Sequence, residues 1–350
     1  MKKIKKYCGA ILVLLGAGCS EHESLYGVEQ PYALGHVGSR VLSVTSTNIV
    51  FEHDFIFYDE KGVLDASRFG IDEDPRSIGN GNSVQIKLKS LELVKAEPRG
   101  CYSVALLTEQ NAMERPERPE QLARYIFKNT ASCSDYTLAV YPERDATLFP
   151  TSPYKIFATS FTNDGVKYDQ DLGAIAYNNH QLFEQTKEPY ESQLKALDAV
   201  TKTVAINATG ENKNVFMLYQ NFSGDNTALS DQVRDYAVAN NIRINAVKND
   251  FSSDDVILRL AHATGGIYFM PDDYDPFHAT AKSDYYAIAL HSDKFMSGNY
   301  SFYRATYELT TNVDFFENGA SLWITMRALL DEKRDDDNLV KMIPCYVQIP

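Results

Sequence analysis

The spacing of apolar residues predicts strands in the first part of the chain. β-Branched and aromatic residues dominate segments 41–50 and 51–58, and apolar and polar residues alternate over 83–94. A turn is predicted at residues 59–62, where Asp, Glu, Lys and Gly follow one another. We therefore expect residues 41–98 to form an amino-terminal β segment.

From residue 99 onward, the pattern changes to strands that alternate with helices. Short apolar runs predict the strands, and apolar residues spaced three or four positions apart predict the helices. The predicted strands are residues 102–107, 136–141, 155–161, 214–218, 242–247 and 267–270. The predicted helices are residues 119–127, 172–185, 190–204, 230–239 and 254–263. This alternation implies an α/β fold with a mainly parallel sheet and helices on both of its faces, over residues 99–282.

Strand patterns return in the last part of the chain, residues 283–350. Segments 285–291 and 300–310 predict a hairpin around a turn at 297–299. Two further strands, 321–330 and 345–349, are predicted on either side of an acidic loop at 331–337. Because strands bracket the α/β unit, we expect both ends of the chain to form a β-sandwich into which that unit is inserted.

The first 18 residues have the pattern of a signal peptide. Four lysines precede an apolar run at 10–15 and a group of small residues, and the run is too short to span a membrane. The sequence LGAGC, ending at Cys19, resembles the lipobox of bacterial lipoproteins, although Gly16 stands where the family prefers a larger aliphatic residue. The resemblance implies cleavage before Cys19 and lipidation of that residue. An ordinary secretory signal is the alternative.

The residues after Cys19 predict where the chain resides. Residues 19–40 are polar and are expected to form a tether. Ser20, rather than an aspartate, follows the cysteine, and the sequence SEHE at 20–23 resembles export tags of surface lipoproteins. We therefore expect a lipid-anchored protein of the outer membrane, on its periplasmic or its surface-exposed face.

The charge of the chain bears on its partners. The formal net charge is −13. Cleavage of the signal would remove four lysines and make the chain more negative. A nucleic-acid-binding face needs a surplus of basic residues, so this class of function is disfavoured. The expected partners are an envelope or surface protein and, through the lipid anchor, the membrane.

Two cysteines are candidates for a disulfide. Cys101 and Cys133 each precede a predicted strand, so they would lie at the same end of the sheet if those strands are parallel neighbours. An oxidising compartment permits the bond. The alternative is that both are small buried residues.

Two stretches of the α/β unit resemble the von Willebrand factor A domain. Residues 234–247, RDYAVANNIRINAV, resemble a helix-to-strand unit of that family, and residues 258–269, LRLAHATGGIYF, resemble the unit with a Thr-Gly-Gly turn that closes the domain. The segments at 284–290 and 298–300 resemble a strand pair that follows the domain in some secreted bacterial members. The resemblance covers about half the chain and implies a von Willebrand A-like, mainly parallel sheet.

The resemblance also defines where a cation would bind. Family members hold Mg²⁺ with Asp-x-Ser-x-Ser after the first strand, a threonine from a later loop and an aspartate after the fourth strand, and a hard cation needs such oxygens. Here Thr108, Gln110 and Ala112 occupy the first motif, and Gln220 replaces the second acid. The threonine position falls near Glu191 and Ser192. Neutral oxygens would hold Mg²⁺ poorly, so we expect neither a metal nor a cofactor, unless Glu109 or another nearby acid rebuilds the site.

Other patterns in the sequence do not indicate catalysis. The histidines are scattered without metal-ligand spacing, and the sequence contains no glycine-rich phosphate loop, no nucleophile elbow and no Cys-x-x-Cys pair. His262 is expected to be a packing residue, and the acidic clusters at 272–275 and 335–337 are expected to be solvated loops. A glycan or peptide hydrolase would need paired carboxylates, and no pair with convincing spacing is present.

The pattern therefore predicts a non-enzymatic envelope lipoprotein that mediates protein interaction or adhesion. The alternatives are a divalent-cation-dependent binder with a rebuilt site and a structural subunit of a surface assembly. The predicted contact surface is made by the loops at the top of the sheet. Its candidate residues are Thr108, Glu109, Gln110, Asn111, Tyr219, Gln220 and Asn221.

Overall fold

The computed structural model contains more strand than helix in the part of the chain that it describes. It describes residues 31–95, 100–109, 133–141, 155–156, 161–167, 170, 189–219, 227–248, 256–271, 284–334 and 337–350. Its strands are β1 (Ala33–Val44), β2 (Asn48–Asp59), β3 (Gly62–Val63), β4 (Phe69–Ile71), β5 (Arg76–Gly79), β6 (Asn82–Val94), β7 (Tyr102–Glu109), β8 (Asp135–Tyr141), β9 (Lys155–Ile156), β10 (Asn212–Tyr219), β11 (Ile242–Lys248), β12 (Tyr268–Phe269), β13 (Phe302–Thr310), β14 (Ser321–Arg334) and β15 (Asp337–Gln348). Besides the helical residues 165–167 and 170, its α-helices in these ranges are α1 (Pro189–Asn207), α2 (Thr227–Ala239), α3 (Val256–Thr264), α4 (Asp284–Leu290) and α5 (Ser292–Ser297).

Twelve of the strands form one continuous sheet. Their order is β5-β6-β13-β2-β1-β12-β11-β10-β7-β8-β9, and β3 pairs with β2 at the side of this path. The other three strands form a second sheet in the order β15-β14-β4. The larger sheet has an α/β half, from β12 to β9, and an antiparallel half, from β5 to β1.

The α/β half is covered by helices on both faces. Strands β8, β7, β10, β11 and β12 are parallel, and β9 pairs with β8 in the antiparallel direction. One face packs against α1, α2 and α3, and the other packs against α4 and α5. Parallel strands buried on both faces require nearly continuous apolar sequence, which explains the buried run Val215–Tyr219 in β10.

The antiparallel half is covered on one face by the second sheet. Along β13, buried residues alternate with partly exposed ones, and Tyr303, Ala305 and Tyr307 point into a core shared with β14 and β15. The opposite face carries ion pairs between strands. Arg304 of β13, for example, donates two hydrogen bonds to Asp54 of β2, at 2.8 and 2.7 Å.

The two halves join at β1 and β12, and this junction depends on a glycine. Gly35 pairs with Phe269 and His36 pairs with Tyr268, in the antiparallel direction. A Cβ on Gly35 would lie 2.8 Å from Cγ2 of Ile267 and 2.9 Å from the carbonyl oxygen of Tyr268. The close approach of the two strands therefore excludes any larger residue at position 35 without movement.

The Thr-Gly-Gly sequence at 264–266 has a structural explanation at each position. The Thr264 hydroxyl accepts a hydrogen bond from the amide of Ile244 at 3.0 Å and donates one to the carbonyl of Leu260 at 2.8 Å. Gly265 has a φ of +67°, which ends α3 in the left-handed region. A Cβ on Gly266 would lie 2.1 Å from the Ile244 carbonyl oxygen, so only glycine allows the chain to pass so close to β11.

A disulfide joins Cys101 and Cys133, whose Cα atoms are 5.5 Å apart. Each precedes one of the parallel neighbours β7 and β8, which pair from Ser103 and Asp135 onward. The bond therefore closes the amino-terminal end of this strand pair.

The predicted strand at 285–291 is wrong, because these residues form α4. The predicted turn at 297–299 does not join two strands either, since α5 occupies residues 292–297. Alanines at positions 287 and 289 favour a helix, and α4 is buried on nearly all sides, so its short apolar run does not show helical periodicity. The α/β half therefore extends beyond residue 282, because α4 and α5 cover one of its faces.

Several predicted boundaries also differ from the structure. The expected tether, 19–40, overlaps β1, and Tyr32, Ala33 and Leu34 are buried. The expected acidic loop, 331–337, is largely strand, because β14 continues to Arg334 and β15 begins at Asp337. The α/β unit is not inserted into a separate sandwich, since β1, β2, β6 and β13 continue its sheet.

Some predictions fall on residues that the structure does not describe. These are the signal peptide and Cys19, the helices at 119–127 and 172–185, and the acidic cluster at 272–275. Within the described ranges, no helix is both long and apolar enough to cross a membrane.

Candidate functional site

The strand order identifies one edge of the sheet as the candidate site. When the strands of the α/β half are numbered along the chain with β7 as the first, their order across the sheet is 3-2-1-4-5-6. In open α/β sheets, ligands bind at the carboxyl ends of the strands. They bind at the switch point, where the chain stops adding strands on one side of the first strand and starts adding them on its other side. That point lies between β7 and β10, and we call this side of the sheet the carboxyl edge.

The structure brings two of the predicted site residues together at this point. Leu218 of β10 pairs with Thr108 of β7, so Tyr219 lies one residue beyond Thr108 on the neighbouring strand. Both side chains are buried, with exposed fractions of 3% for Thr108 and 1% for Tyr219. The Tyr219 hydroxyl donates a hydrogen bond to the Tyr268 hydroxyl at 3.2 Å. These two side chains therefore support the edge in this structure, and their part in binding a partner stays a prediction.

The remaining predicted residues of the site are not described. Glu109 is the last residue of β7, but its side chain lies outside the described part. Gln110, Asn111, Gln220 and Asn221 also lie outside it. Their role in binding stays a prediction.

The structure neither supports nor contradicts a cation site at the carboxyl edge. Within the described ranges, no three His, Cys, Asp or Glu side chains lie close enough together to hold a metal ion. The residues that follow β7 and β10 are outside these ranges. The expectation that no metal binds therefore stays a prediction.

A buried ion pair lies at the same edge and has no signature in the local sequence pattern. Lys341 Nζ of β15 lies 3.2 Å from Asp284 Oδ2 at the start of α4, and each side chain is 3% exposed. Asp284 Oδ1 also accepts a hydrogen bond of 2.8 Å from the backbone amide of Tyr32. The Tyr32 ring lies beneath the ammonium group, 5.8 Å from ring centre to Nζ. We call these three residues the Tyr32 clamp.

The clamp connects three distant parts of the sequence. Asp284 belongs to the α/β half, Lys341 belongs to the second sheet, and Tyr32 precedes β1 at the junction. Burying two charges is unfavourable unless they are paired and hydrogen-bonded, and here each charge satisfies the other. No local pattern could have paired positions 252 residues apart.

Three histidines form a second buried cluster, at the junction of the two halves. His36 Nε2 of β1 lies 3.0 Å from His262 Nδ1 of α3, which is the distance of a hydrogen bond. The His36 ring lies 5.2 Å from the His53 ring of β2, and the His262 ring lies 5.2 Å from Tyr346 of β15. His36 and His53 are fully buried.

Burial keeps these histidines neutral. It lowers the pKa of His53 to about 3, and the nearby carbonyl of Pro344 opposes this without forming a well-aligned hydrogen bond. Burial, with His53 and His262 as neighbours, also holds the pKa of His36 well below its ordinary value. The pKa of His262 is lowered by burial too. Rings that are neutral and shielded from solvent suit packing more than proton transfer to a substrate.

Comparisons with known proteins give only distant similarities. No family model matches the chain, and no curated protein matches it either. Among solved structures, the chain is similar to the VWA domain of SpRpn10, with 10% identity and a TM-score of 0.33 over 47% of this chain and 82% of that one. It is also similar to proximal thread matrix protein 1 from the mussel byssus, with 11% identity and a TM-score of 0.35. That match covers 64% of this chain and half of the mussel protein.

Since these values are low, the class of fold rests on the chain's own strand order. The described part is an α/β protein with a mixed sheet, in which helices cover both faces of the parallel strands. The antiparallel half extends the same sheet beyond β12.

Proposed function

We propose that this chain is a non-enzymatic, lipid-anchored binding protein of the outer membrane. It holds an envelope or surface protein at the carboxyl edge, through the residues that follow β7 and β10. The observation that supports this is the buried, hydrogen-bonded construction of the edge at the β7–β10 switch point. Thr108 and Tyr219 are almost fully buried there, so they form a packed base for the residues beyond them.

The sequence beyond this base is suited to hydrogen bonding. Gln110 and Asn111 follow β7, and Gln220 and Asn221 follow β10. Amide side chains both donate and accept, so they can bind polar groups of a protein surface without a metal ion. The lipid anchor at Cys19 is inferred from the sequence and keeps the chain at the membrane.

The test is a quantitative pull-down from detergent-solubilised envelopes with the lipidated chain as bait. We expect the Gln110→Ala/Gln220→Ala variant to lose at least about tenfold of the captured partner. The matched control is Gln85→Ala/Gln232→Ala, because both glutamines are exposed and lie on β6 and α2, away from the switch point. Equal capture by all three proteins would contradict the proposal.

The cation-dependent alternative is tested on the same proteins. Calorimetry with Mg²⁺, Ca²⁺ and Mn²⁺ separates it from metal-free binding. Heat of binding that disappears in the Gln110→Ala/Gln220→Ala variant would replace the metal-free site with a rebuilt metal site.

A further inference from the structure

The histidine cluster lies where the large sheet, α3 and the second sheet meet. His36 belongs to β1 and His53 to β2, whereas His262 belongs to α3 of the α/β half. The His36 ring stacks on each of the other two, with ring centres 5.2 Å apart and ring planes inclined by 24° and 27°. The His262 ring also contacts the Tyr346 ring of β15. The three rings therefore connect the antiparallel half, the α/β half and the second sheet.

The cluster contains buried ring nitrogens without well-aligned hydrogen bonds. These are His36 Nδ1 and both ring nitrogens of His53, and neither side chain has any exposed surface. The contact of 3.0 Å between His36 Nε2 and His262 Nδ1 satisfies other atoms of the cluster. A buried polar group without a partner costs free energy, and an apolar ring would avoid that cost. The choice of histidine here therefore points to a role for its titration.

The groups that face the cluster from β13 and from the second sheet are neutral. Strand β13 contributes the Tyr307 ring, whose centre lies 6.3 Å from that of His53. Strand β15 contributes Tyr346 and the thiol of Cys345, which acts on Tyr307. Burial raises the pKa of both Tyr307 and Cys345, so neither group is charged near neutral or acidic pH. None of these groups would stabilise an imidazolium by its charge.

The acidic residues next to His53 on β2 point away from the cluster. Glu52 and Asp54 flank His53 in the sequence, so their side chains alternate to the opposite face of the strand. There they accept hydrogen bonds from Arg40 and Arg304, at 2.7 and 2.8 Å. These two carboxylates are thus engaged on the outer face of the sheet.

The remaining neighbouring elements bring no negative charge to the rings either. On α3, Arg259 lies three residues before His262 and has the same sign as an imidazolium. On β12, the residue paired with His36 is Tyr268, a phenol that is uncharged near neutral pH. Among the described residues, the charges that act on the three rings are those of the rings themselves.

Acid therefore favours an arrangement in which the rings reach water. Burial lowers the pKa of His53 to about 3, whereas a histidine in water has a pKa of about 6.5. Because the pKa is lower in the closed structure, the stability of that structure is complete above pH 6.5 and is lost as the pH falls. His262 is only partly buried, so it binds the first proton, and its charge then opposes protonation of His36 in the closed structure.

We infer that the histidine cluster makes the contact between the second sheet and the rest of the molecule sensitive to acid. When the rings bind protons, the parts of β14 and β15 around Trp323 and Tyr346 separate from β1 and α3. The Tyr32 clamp keeps β15 in place at Lys341, and the helices keep the parallel strands folded. The separation breaks the hydrogen bond of 2.5 Å from the Ser39 hydroxyl to the Tyr346 carbonyl. This acid response requires neither the proposed lipid anchor nor binding at the carboxyl edge.

Trp323 reports the separation, because it is the only tryptophan and lies opposite Tyr346 in the register of β14 and β15. Its ring packs against Tyr268 of the α/β half. The full chain is titrated from pH 7.5 to 4.5 while quenching of the tryptophan by acrylamide is measured, and far-UV circular dichroism follows the helices. We expect the quenching constant to rise at least about twofold while the helical signal stays unchanged.

The steepness of this transition counts the protons. If opening exposes both His36 and His53, the open fraction should rise from about one-tenth to about nine-tenths within roughly one pH unit. A single histidine would need about two units. Unchanged quenching down to pH 4.5, a transition as broad as that of one histidine, or a rise that coincides with loss of the helical signal would overturn the inference.

The His36→Leu/His53→Leu variant should stay closed over the same pH range, because leucine carries no charge and needs no hydrogen bond. The matched control is His291→Gln. His291 is also buried but lies beside Tyr58, outside the cluster, and glutamine is able to keep a hydrogen bond to the Asp59 carbonyl. The control should open as the wild type does. Opening of the double variant at the wild-type pH, or a control that stays closed, would overturn the assignment to the cluster.

Nuclear magnetic resonance of the histidine rings gives a second measurement on the wild type, which needs no variant to fold. The ring signals of His36 and His53 should change only over the pH interval in which Trp323 becomes accessible to acrylamide. A change near pH 6.5 while Trp323 stays protected would overturn the inference, since the rings would then titrate inside the closed structure.

Discussion

The two halves of the large sheet reach stability by different means. The α/β half buries both faces under helices, so its strands are apolar runs such as Val104–Leu107. The antiparallel half buries one face under the second sheet and leaves the other to solvent, so β13 alternates between buried and partly exposed residues. The parallel strands of one half and the antiparallel strands of the other thus carry two different sequence patterns, and the layers that cover each half explain which pattern it needs.

The junction between the two halves combines a close approach of two strands with buried polar groups. Gly35 permits the close approach of β1 to β12, and the histidine cluster lies beside it. The Tyr32 clamp ties α4 to β15 across the same region. Substitutions at these positions therefore test whether the halves unfold as one unit.

The largest effect is expected from breaking the clamp. Lys341→Met leaves Asp284 buried and without its ammonium partner, which should cost about 3–5 kcal/mol of unfolding free energy in a urea titration. In the Lys341→Met/Asp284→Asn variant, the amide oxygen can still accept from Tyr32, so most of the loss should be recovered. A double variant no more stable than Lys341→Met would show that the charge pair is not the cause.

A smaller loss of unfolding free energy, confined to the α/β half, is expected from Gly266→Ala. The new Cβ would lie 2.1 Å from the Ile244 carbonyl oxygen, and relieving this overlap should cost about 3 kcal/mol. Gly70→Ala, in β4, is the control, because a Cβ there meets nothing within 4 Å. Chemical denaturation followed by far-UV circular dichroism measures both, and equal stabilities would refute the packing argument.

Gly35→Ala tests the junction between the halves most directly. It should lower the free energy of unfolding by about 2 kcal/mol. The added methyl group pushes β12 away from β1, so unfolding should divide into two steps. Trp323 is the only tryptophan in the chain and packs against Tyr268, with ring centres 6.3 Å apart, so its fluorescence reports the contact between β14 and the α/β half. Gly38→Ala, on the same strand with open space around it, should keep one transition. A single transition in Gly35→Ala would mean that other contacts hold the halves together.

The pH dependence of stability tests the histidine cluster. The pKa of His53 is about 3 in the folded chain and about 6.5 when unfolded. The folded state therefore favours the neutral ring, so the stability it contributes is complete above pH 6.5 and is lost as the pH falls toward 3. The loss is about 1.4 kcal/mol per pH unit for this residue. In His53→Leu the free energy of unfolding should fall by about 2 kcal/mol less than in the wild type between pH 6.5 and 5, and an unchanged slope would exclude His53 as the source.

The parts of the fold that sequence alone could predict are those with a local pattern. The apolar runs of β7 and β10 and the alternation of β13 are visible in single segments, and the Thr-Gly-Gly turn follows from one glycine at positive φ and one at a close approach. The pattern of residues 284–290 predicts the wrong element, because a helix buried on nearly all sides has no polar face that would reveal the helical period. That β1 joins β12 could not be predicted, because only two residue pairs connect them.

The sequence predicts that Thr108 and Tyr219 lie on neighbouring strands, but not what surrounds them. Thr108 and Tyr219 do lie side by side at the switch point, since parallel strands end together. Their burial depends on packing from distant segments, such as the Tyr268 hydroxyl that contacts Tyr219. The clamp and the histidine cluster join residues more than 200 positions apart, so no local spacing marks them.

The buried thiol of Cys345 provides a native reporter for the antiparallel half. Its side chain has no exposed surface, lies between the two sheets, and has a pKa raised by burial. A thiol reagent can reach it only when the layer formed by β14 and β15 opens. The labelling rate of the unmodified protein therefore measures the frequency of that opening. Comparison with amide exchange in β7 and β10 would show whether the two halves open together or one at a time.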